Sequence, residues 1–284
     1  MPNLKISDDE LGPDEIAEAL LQEAGAFNVL PTREAALLDY LGLKQLSFDF
    51  GDEPEFVQLA PDIPEKLRAA LSVNDRLVVT HSALGQKRNR WSVFHEIAHF
   101  VLPEHLEKIF LDDDRTLSVW TKSRLEREAN SLAAELVFQG SRFTDEALDL
   151  PLTCQTALDL APRFDASYES AIRRYVEKHV LPCAVIVYDK VATSLDEDPE
   201  DGKYRIHYTV ASDPFKNRYF SGVKTDAEFT RGSDIFKVHG TSNIGAIVQS
   251  ELSVEKPDGK TWNFNTELFT NSYKIFQFIT GLAK

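Results

Sequence analysis

The sequence predicts an α+β protein in three parts: a mostly helical domain with a short sheet over residues 1–150, a helix-turn-helix-like segment over 151–180, and a β-rich domain over 181–284. Three observations predict it. Apolar residues recur at helical spacing through most of the first half. Two short helical patterns meet at the turn signal Asp165-Ala166-Ser167. From Leu181 onward, short apolar blocks bounded by polar loops replace the helical stripes, which is the pattern of strands. With 284 residues, 43% of them hydrophobic, the chain can bury one large core or two to three modest ones.

The first helix starts at Gly12-Pro13-Asp14-Glu15, where two carboxylates suit its positive end. Ile16, Leu20, Leu21 and Ala24 supply its apolar stripe, and Gly25 ends it. Residues 44–58, with Leu46, Phe48 and Phe50 alternating, read as a strand and an acidic loop, followed by a short apolar piece from Val57 to Ala60. Pro64 through Leu71 reads as another helical turn or two, with proline at its start. Arg76-Leu77-Val78-Val79-Thr80 is strand-like.

The most informative stretch follows: Trp91-Ser92-Val93-Phe94-His95-Glu96-Ile97-Ala98-His99-Phe100. On a helix, residues four apart share a face, so His95 and His99 can point at one metal ion with Glu96 beside the first. Trp91, Phe94, Ala98 and Val101 or Leu102 would bury the other side. An HExxH pattern alone also arises by chance, and a histidine on a partly apolar helix is often a satisfied core residue. A third ligand decides between the two, because catalytic zinc takes three protein ligands and keeps one position open.

Two residues compete for that role. His105 has the metzincin offset from His99, but Leu102 and Pro103 stand where that pattern turns on a glycine, and no methionine except Met1 is present to form a Met-turn. It reads as a surface histidine just past the helix end. Glu126 lies in Ser123-Arg124-Leu125-Glu126-Arg127-Glu128-Ala129-Asn130-Ser131-Leu132-Ala133-Ala134-Glu135-Leu136. There Leu125, Ala129, Leu132, Ala133 and Leu136 form the buried stripe, and Glu126 and Asn130 share an adjacent face one turn apart. The carboxylate can bind zinc while the Asn130 carbonyl accepts the free ring N–H of a ligand histidine. Glu128 falls about 200° around the helix from Glu126 and reads as a solvated charge.

Together these two segments resemble the ImmA/IrrE family of zinc metallopeptidases, whose core carries HExxH followed by a Glu-x-x-x-Asn helix rich in small residues. Arg76–Thr80 looks like that family's edge strand, and Arg88-Asn89-Arg90-Trp91-Ser92 like its arginine-rich approach to the active-site helix. Ala35-Ala36-Leu37-Leu38-Asp39-Tyr40-Leu41-Gly42-Leu43 looks like the helix and glycine stop that open the domain. The resemblance covers about the first 150 residues and thins beyond. Where the family often ends its ligand helix in Leu-Leu-Met-Pro, this chain has Leu136-Val137-Phe138-Gln139, a site of packing or substrate groove. The resemblance implies a zincin-like fold, with Zn²⁺ held by His95, His99 and Glu126, Asn130 behind them, and Glu96 as the general base. Among His105, Tyr168, Tyr175 and the arginines, the sequence does not single out an oxyanion donor, and it does not separate zinc from manganese.

The net charge of −15 and pI near 4.9 argue against direct nucleic-acid binding, since proteins that grip phosphates present net positive surface. Cys154 and Cys183 have neither CxxC spacing nor nearby histidine and read as reduced, buried thiols. The N-terminus has no apolar core, and no segment reaches the roughly 18 apolar residues of a membrane span, so a soluble cytoplasmic protein is expected.

In the middle segment, Ser167 would cap the second helix, and family members carry a helix-turn-helix-like element at this place. Its charges are nearly balanced, with Glu169 and Glu177 against Arg173, Arg174 and Lys178, which favours a packing role over DNA recognition. Beyond it, Cys183–Tyr188, Tyr204–Val210, Ile235–His239 and Ala246–Val254 read as strands, and Leu195–Gly202 as an exposed loop. Ile275, Phe276, Ile279 and Leu282 suggest a final amphipathic helix. In the family this position can hold a GAF-like sensor domain; a scaffold or homodimer role is equally compatible with the β-rich content. By resemblance the substrate is one DNA-binding, helix-turn-helix transcriptional repressor, cut in a stress or mobile-element response. The alternative is a weakly active zinc-binding sensor or antitoxin-like interaction protein.

Overall fold

The computed structural model describes residues 11–49, 68–102, 104–105, 119–190, 204–219, 228–229, 234–238, 244–255, 259 and 261–282. Phe50, the acidic loop after it, Val57–Ala60, the turn at Pro64 and the loop Leu195–Gly202 lie outside the described residues. The protein is α+β and divides into two compact units, residues 1–143 and 144–284.

The first unit opens with α1 (Pro13–Glu23), whose N-cap Gly12 donates its backbone N–H to the Glu15 carboxylate at 2.9 Å. α2 (Glu34–Leu41) stops at Gly42, where φ is +66° and an added Cβ would meet the Arg76 guanidinium at 3.1 Å. Only glycine adopts that conformation there without strain. Strands β1 (Lys44–Phe48), β2 (Ala69–Ser72) and β3 (Leu77–His81) form a sheet in the order β1-β3-β2, with β1 parallel and β2 antiparallel to β3. Two expectations change here. β3 is the central strand rather than an edge, and Ala69–Leu71 is strand rather than helix, because pairing with Thr80–Val78 overrides the helical preference of the two alanines.

Two long helices, α3 (Gln86–Val101) and α4 (Val119–Phe138), pack on each other. Their facing residues are Val93, Phe94, Ile97 and Ala98 on α3 and Leu125, Ala129, Leu132, Ala133 and Leu136 on α4, all buried. The small alanines let the helices approach closely. At the end of α4, Leu136, Val137, Phe138 and Gln139 are buried, so this departure from the family pattern serves packing. The Gln139 side chain accepts from the Asn28 N–H (3.0 Å) and donates to Val29 O (2.6 Å) and Thr32 Oγ1 (3.1 Å). Thr32 donates to Leu136 O at 2.9 Å, and its own carbonyl accepts from Arg90 of α3 at 2.6 Å. One short loop, residues 26–32, thus ties the end of α4 to α3.

Helix α5 (Arg142–Leu148) lies at the junction in sequence. In the second unit, α6 (Cys154–Leu160) and α7 (Tyr168–Lys178) flank a 3-10 turn (Ala161–Phe164), with Asp165 at φ +48° and Ser167 capping α7 through Ser170 N–H at 3.0 Å. α7 packs on the sheet of its own unit, and its Glu169 accepts from the Tyr208 hydroxyl and from Lys274, each at 2.8 Å. The remaining elements are β4 (Ala184–Lys190), β5 (Tyr204–Ala211), α8 (Asp213–Arg218), β6 (Glu228–Phe229), a 3-10 turn (Asp234–Val238), β7 (Val248–Glu255), β8 (Thr261–Thr270) and β9 (Lys274–Leu282). The strands make an antiparallel sheet ordered β6-β5-β4-β9-β8-β7.

Here too the structure corrects the sequence reading. The expected last helix is strand β9, which lies between β4 and β8, so Ile275 through Ile279 are buried on both faces and the run loses its alternation. Ile235–Val238 is a 3-10 turn whose Ile235 and Val238 join the core, and β8 adds a strand the sequence reading did not identify.

Candidate metal centre

The centre is built on the first unit's helix pair. Gly85 begins α3, and Arg90 anchors it: the buried guanidinium bonds Thr32 O, lies 3.4 Å from Glu34 and stacks over the Phe94 ring at 4.8 Å. One turn on, Nε2 of His95 and Nε2 of His99 stand 3.1 Å apart. Glu126 of α4 reaches both rings, with carboxylate oxygens 3.3 Å from His95 Nε2 and 3.7 Å from His99 Nε2. One ligand atom from each of the three residues lies within 4.8 Å of the others. Around a tetrahedral zinc with bonds of about 2.0–2.1 Å, ligand atoms sit roughly 3.4 Å apart, so these spacings and the two-imidazole, one-carboxylate donor set fit that ion.

Protonation preferences conflict inside this cluster. Burial pushes Glu96 up to about 7, with the Glu126 charge adding and His95 opposing. Burial lowers His99 to about 4, helped by His95 and His105 and opposed by Glu126, so its ring is neutral at neutral pH, as a metal requires. For His95, burial works against the charged ring, but the Glu126 hydrogen bond and the charges of Glu96 and Glu126 outweigh it and raise the pKa. The Asn130 side chain, one turn after Glu126, also favours that charged ring.

Two residues stand elsewhere than the sequence suggested. His105 is fully buried, neither on the surface nor among the three converging ligand atoms. Its Nδ1 meets Nδ1 of His99 at 2.9 Å, on the side of that ring away from His95, and its Nε2 meets Glu128 at 3.1 Å. Glu128 is therefore half-buried and engaged rather than solvated. With both ring nitrogens engaged, His105 is not placed to serve as an oxyanion donor. Within its own unit, Tyr175 is buried and donates its hydroxyl to Pro151 O at 3.2 Å. The available signal for His105 was its spacing from His99, set aside because Leu102-Pro103 replaced the glycine turn.

Residues 59–175 match the family model Peptidase_M78, described as the IrrE N-terminal-like domain. The segment is similar to that peptidase domain. This IrrE-like segment contains α3, α4 and the whole candidate centre, and it continues through α6 into α7. No curated protein sequence matches the chain. Among solved structures, the chain is similar to a Mycobacterium tuberculosis transcriptional regulator, at 13% identity and a TM-score of 0.55, over 95% of this chain and 87% of that one. At that identity the likeness is one of fold. Among the described residues, no helix is long and apolar enough to cross a membrane.

Proposed function

We propose that the protein is a zinc-dependent endopeptidase that cuts one helix-turn-helix transcriptional repressor at a specific bond, in a stress or mobile-element response. The observation that carries this reading is the convergence of His95 Nε2, His99 Nε2 and the Glu126 carboxylate beside a buried Glu96 poised near neutrality. His95, His99 and Glu126 would hold Zn²⁺. The chemistry that ion supplies when bound is a more acidic water and a polarised scissile carbonyl. Glu96, held in a low-dielectric pocket, takes the water's proton on its carboxylate and returns it to the leaving amine nitrogen. Burial serves this cycle because it brings the carboxyl close to the working pH, where it both accepts and gives up a proton readily.

The same reading takes residues 1–150 as the zincin-like peptidase domain, 151–180 as the helix-turn-helix-like segment and 181–284 as a sensor or scaffold domain, working in the cytoplasm. The family match supports a peptidase, and the fold shared with a protein titled a transcriptional regulator supports a regulatory setting. The test compares newly formed protein N-termini in cells carrying wild type or Glu96→Gln, with and without stress. One new terminus within a DNA-binding repressor, lost in the variant, is the expected result. Identical profiles would overturn the reading in favour of a zinc-binding sensor or interaction protein.

A further inference from the structure

We infer that His105 and Glu128 form a positioning relay that locks His99 in the tautomer and ring orientation needed to bind a metal through Nε2; the inference rests on the metal reading above. The argument is one of proton placement. If Nε2 of His99 faces the ion, that nitrogen carries no proton, and the ring's single proton sits on Nδ1. Nδ1 lies 2.9 Å from Nδ1 of His105, which must then accept. His105 in turn carries its proton on Nε2, and the group 3.1 Å from that nitrogen is the Glu128 carboxylate, an acceptor only.

One arrangement of protons satisfies every atom along this chain. The reverse arrangement would set the bare Nε2 of His105 against a carboxylate oxygen, two acceptors at hydrogen-bond distance inside the protein. Glu128 therefore gives the relay its direction. The carboxylate is itself fixed: Arg124, one turn earlier on α4, donates to it at 2.9 Å and to Glu104 at 2.7 Å.

The relay also accounts for a fully buried imidazole. A ring with no exposure needs partners for both nitrogens, and for His105 His99 stands at Nδ1 and Glu128 at Nε2.

The experiment measures zinc affinity of the full-length protein by competition with a chromophoric chelator, together with the visible spectrum of the cobalt-substituted protein. Glu128→Ala and His105→Phe should each weaken zinc binding about tenfold or more and shift the cobalt bands. Glu128→Gln, which still accepts from His105 Nε2, should retain most of the affinity and the wild-type spectrum. ¹⁵N spectra of histidine in the zinc-loaded wild type should show His99 protonated at Nδ1, a readout that does not depend on any variant folding. Wild-type affinity and spectrum in a folded Glu128→Ala protein, or His99 protonated at Nε2, would overturn the relay. Loss of zinc in His95→Ala alongside unchanged binding in Glu128→Ala would overturn only the relay. A wild type that binds no zinc would overturn both readings.

Discussion

In the second unit, Tyr188 of β4 donates its hydroxyl to Gln277 of β9 at 2.6 Å, and Gln277 donates onward to Thr266 of β8 at 3.0 Å. Glu267, also buried, accepts the Cys154 N–H at the start of α6 at 2.6 Å, where an anion is favoured by the unpaired amides of the first turn. The polar groups buried around α3 of the first unit behave differently. Glu96 is driven toward its neutral form and His99 away from its charged form, while His95 is drawn toward the charged one. The first set is closed on itself and holds strands and a helix in register. In the second set burial and neighbouring charges pull the groups in opposing directions, a pattern that clusters at functional sites.

The largest expected effect that would sharpen this contrast is on catalysis. Glu96→Gln should lower the cleavage rate by about 10²–10⁴-fold while leaving one zinc bound, measured by turnover of the proposed repressor substrate alongside metal analysis. Tyr188→Phe should change neither quantity.

The next effect is on the stability of the zinc-free protein. A carboxyl raised from 4.5 to about 7 binds its proton more tightly folded than unfolded, so its contribution is fully present below about pH 4.5 and is lost as pH rises through about 7. Zinc-free Glu96→Gln should therefore match wild type near pH 4.5 and exceed it at pH 8 by up to about 3 kcal/mol in denaturant titrations. His99 acts in the opposite sense in both proteins. Its lowered pKa gives stability present above about 6.5 that is lost as pH falls through about 4, so it does not mask the difference at pH 8.

Smaller effects belong to the closed network. Glu267→Ala leaves the Cys154 N–H without this acceptor and should cost roughly 1–3 kcal/mol with zinc affinity unchanged; a change in zinc affinity would break the division drawn here. Tyr188→Phe leaves Gln277 Oε1 without its donor and should cost about 1 kcal/mol by the same measurement.

Much of the centre was legible in the sequence because helices translate spacing into geometry. His95 and His99 sit four apart, Glu126 rides on a stripe of alanines and leucines, and each side chain's direction follows from the period. His105 was not legible in this way. It lies past the end of α3, and whether the chain after Leu102 carries it outward or back behind His99 depends on tertiary packing rather than on any local repeat. Glu128 was misjudged for a related reason: its place on the helix points it away from Glu126, but only the position of His105 shows which group it meets. In the second unit, β9 was read as a helix because a strand buried on both faces has no alternation to display. Its isoleucines, phenylalanines and Gly281 were the better guide.

The loop of residues 26–32 gives the family boundary a practical meaning. The matched segment begins at residue 59, yet the acceptor of the Arg90 guanidinium, the donor to the Leu136 carbonyl and most of the bonds made by Gln139 come from before residue 33. A chain trimmed to the recognisable peptidase segment would keep all three converging side chains and lose the brace that sets the spacing of the helices carrying them. For this protein, the smallest unit that can be cut out and still keep the three side chains at their spacing is larger than the unit that can be recognised.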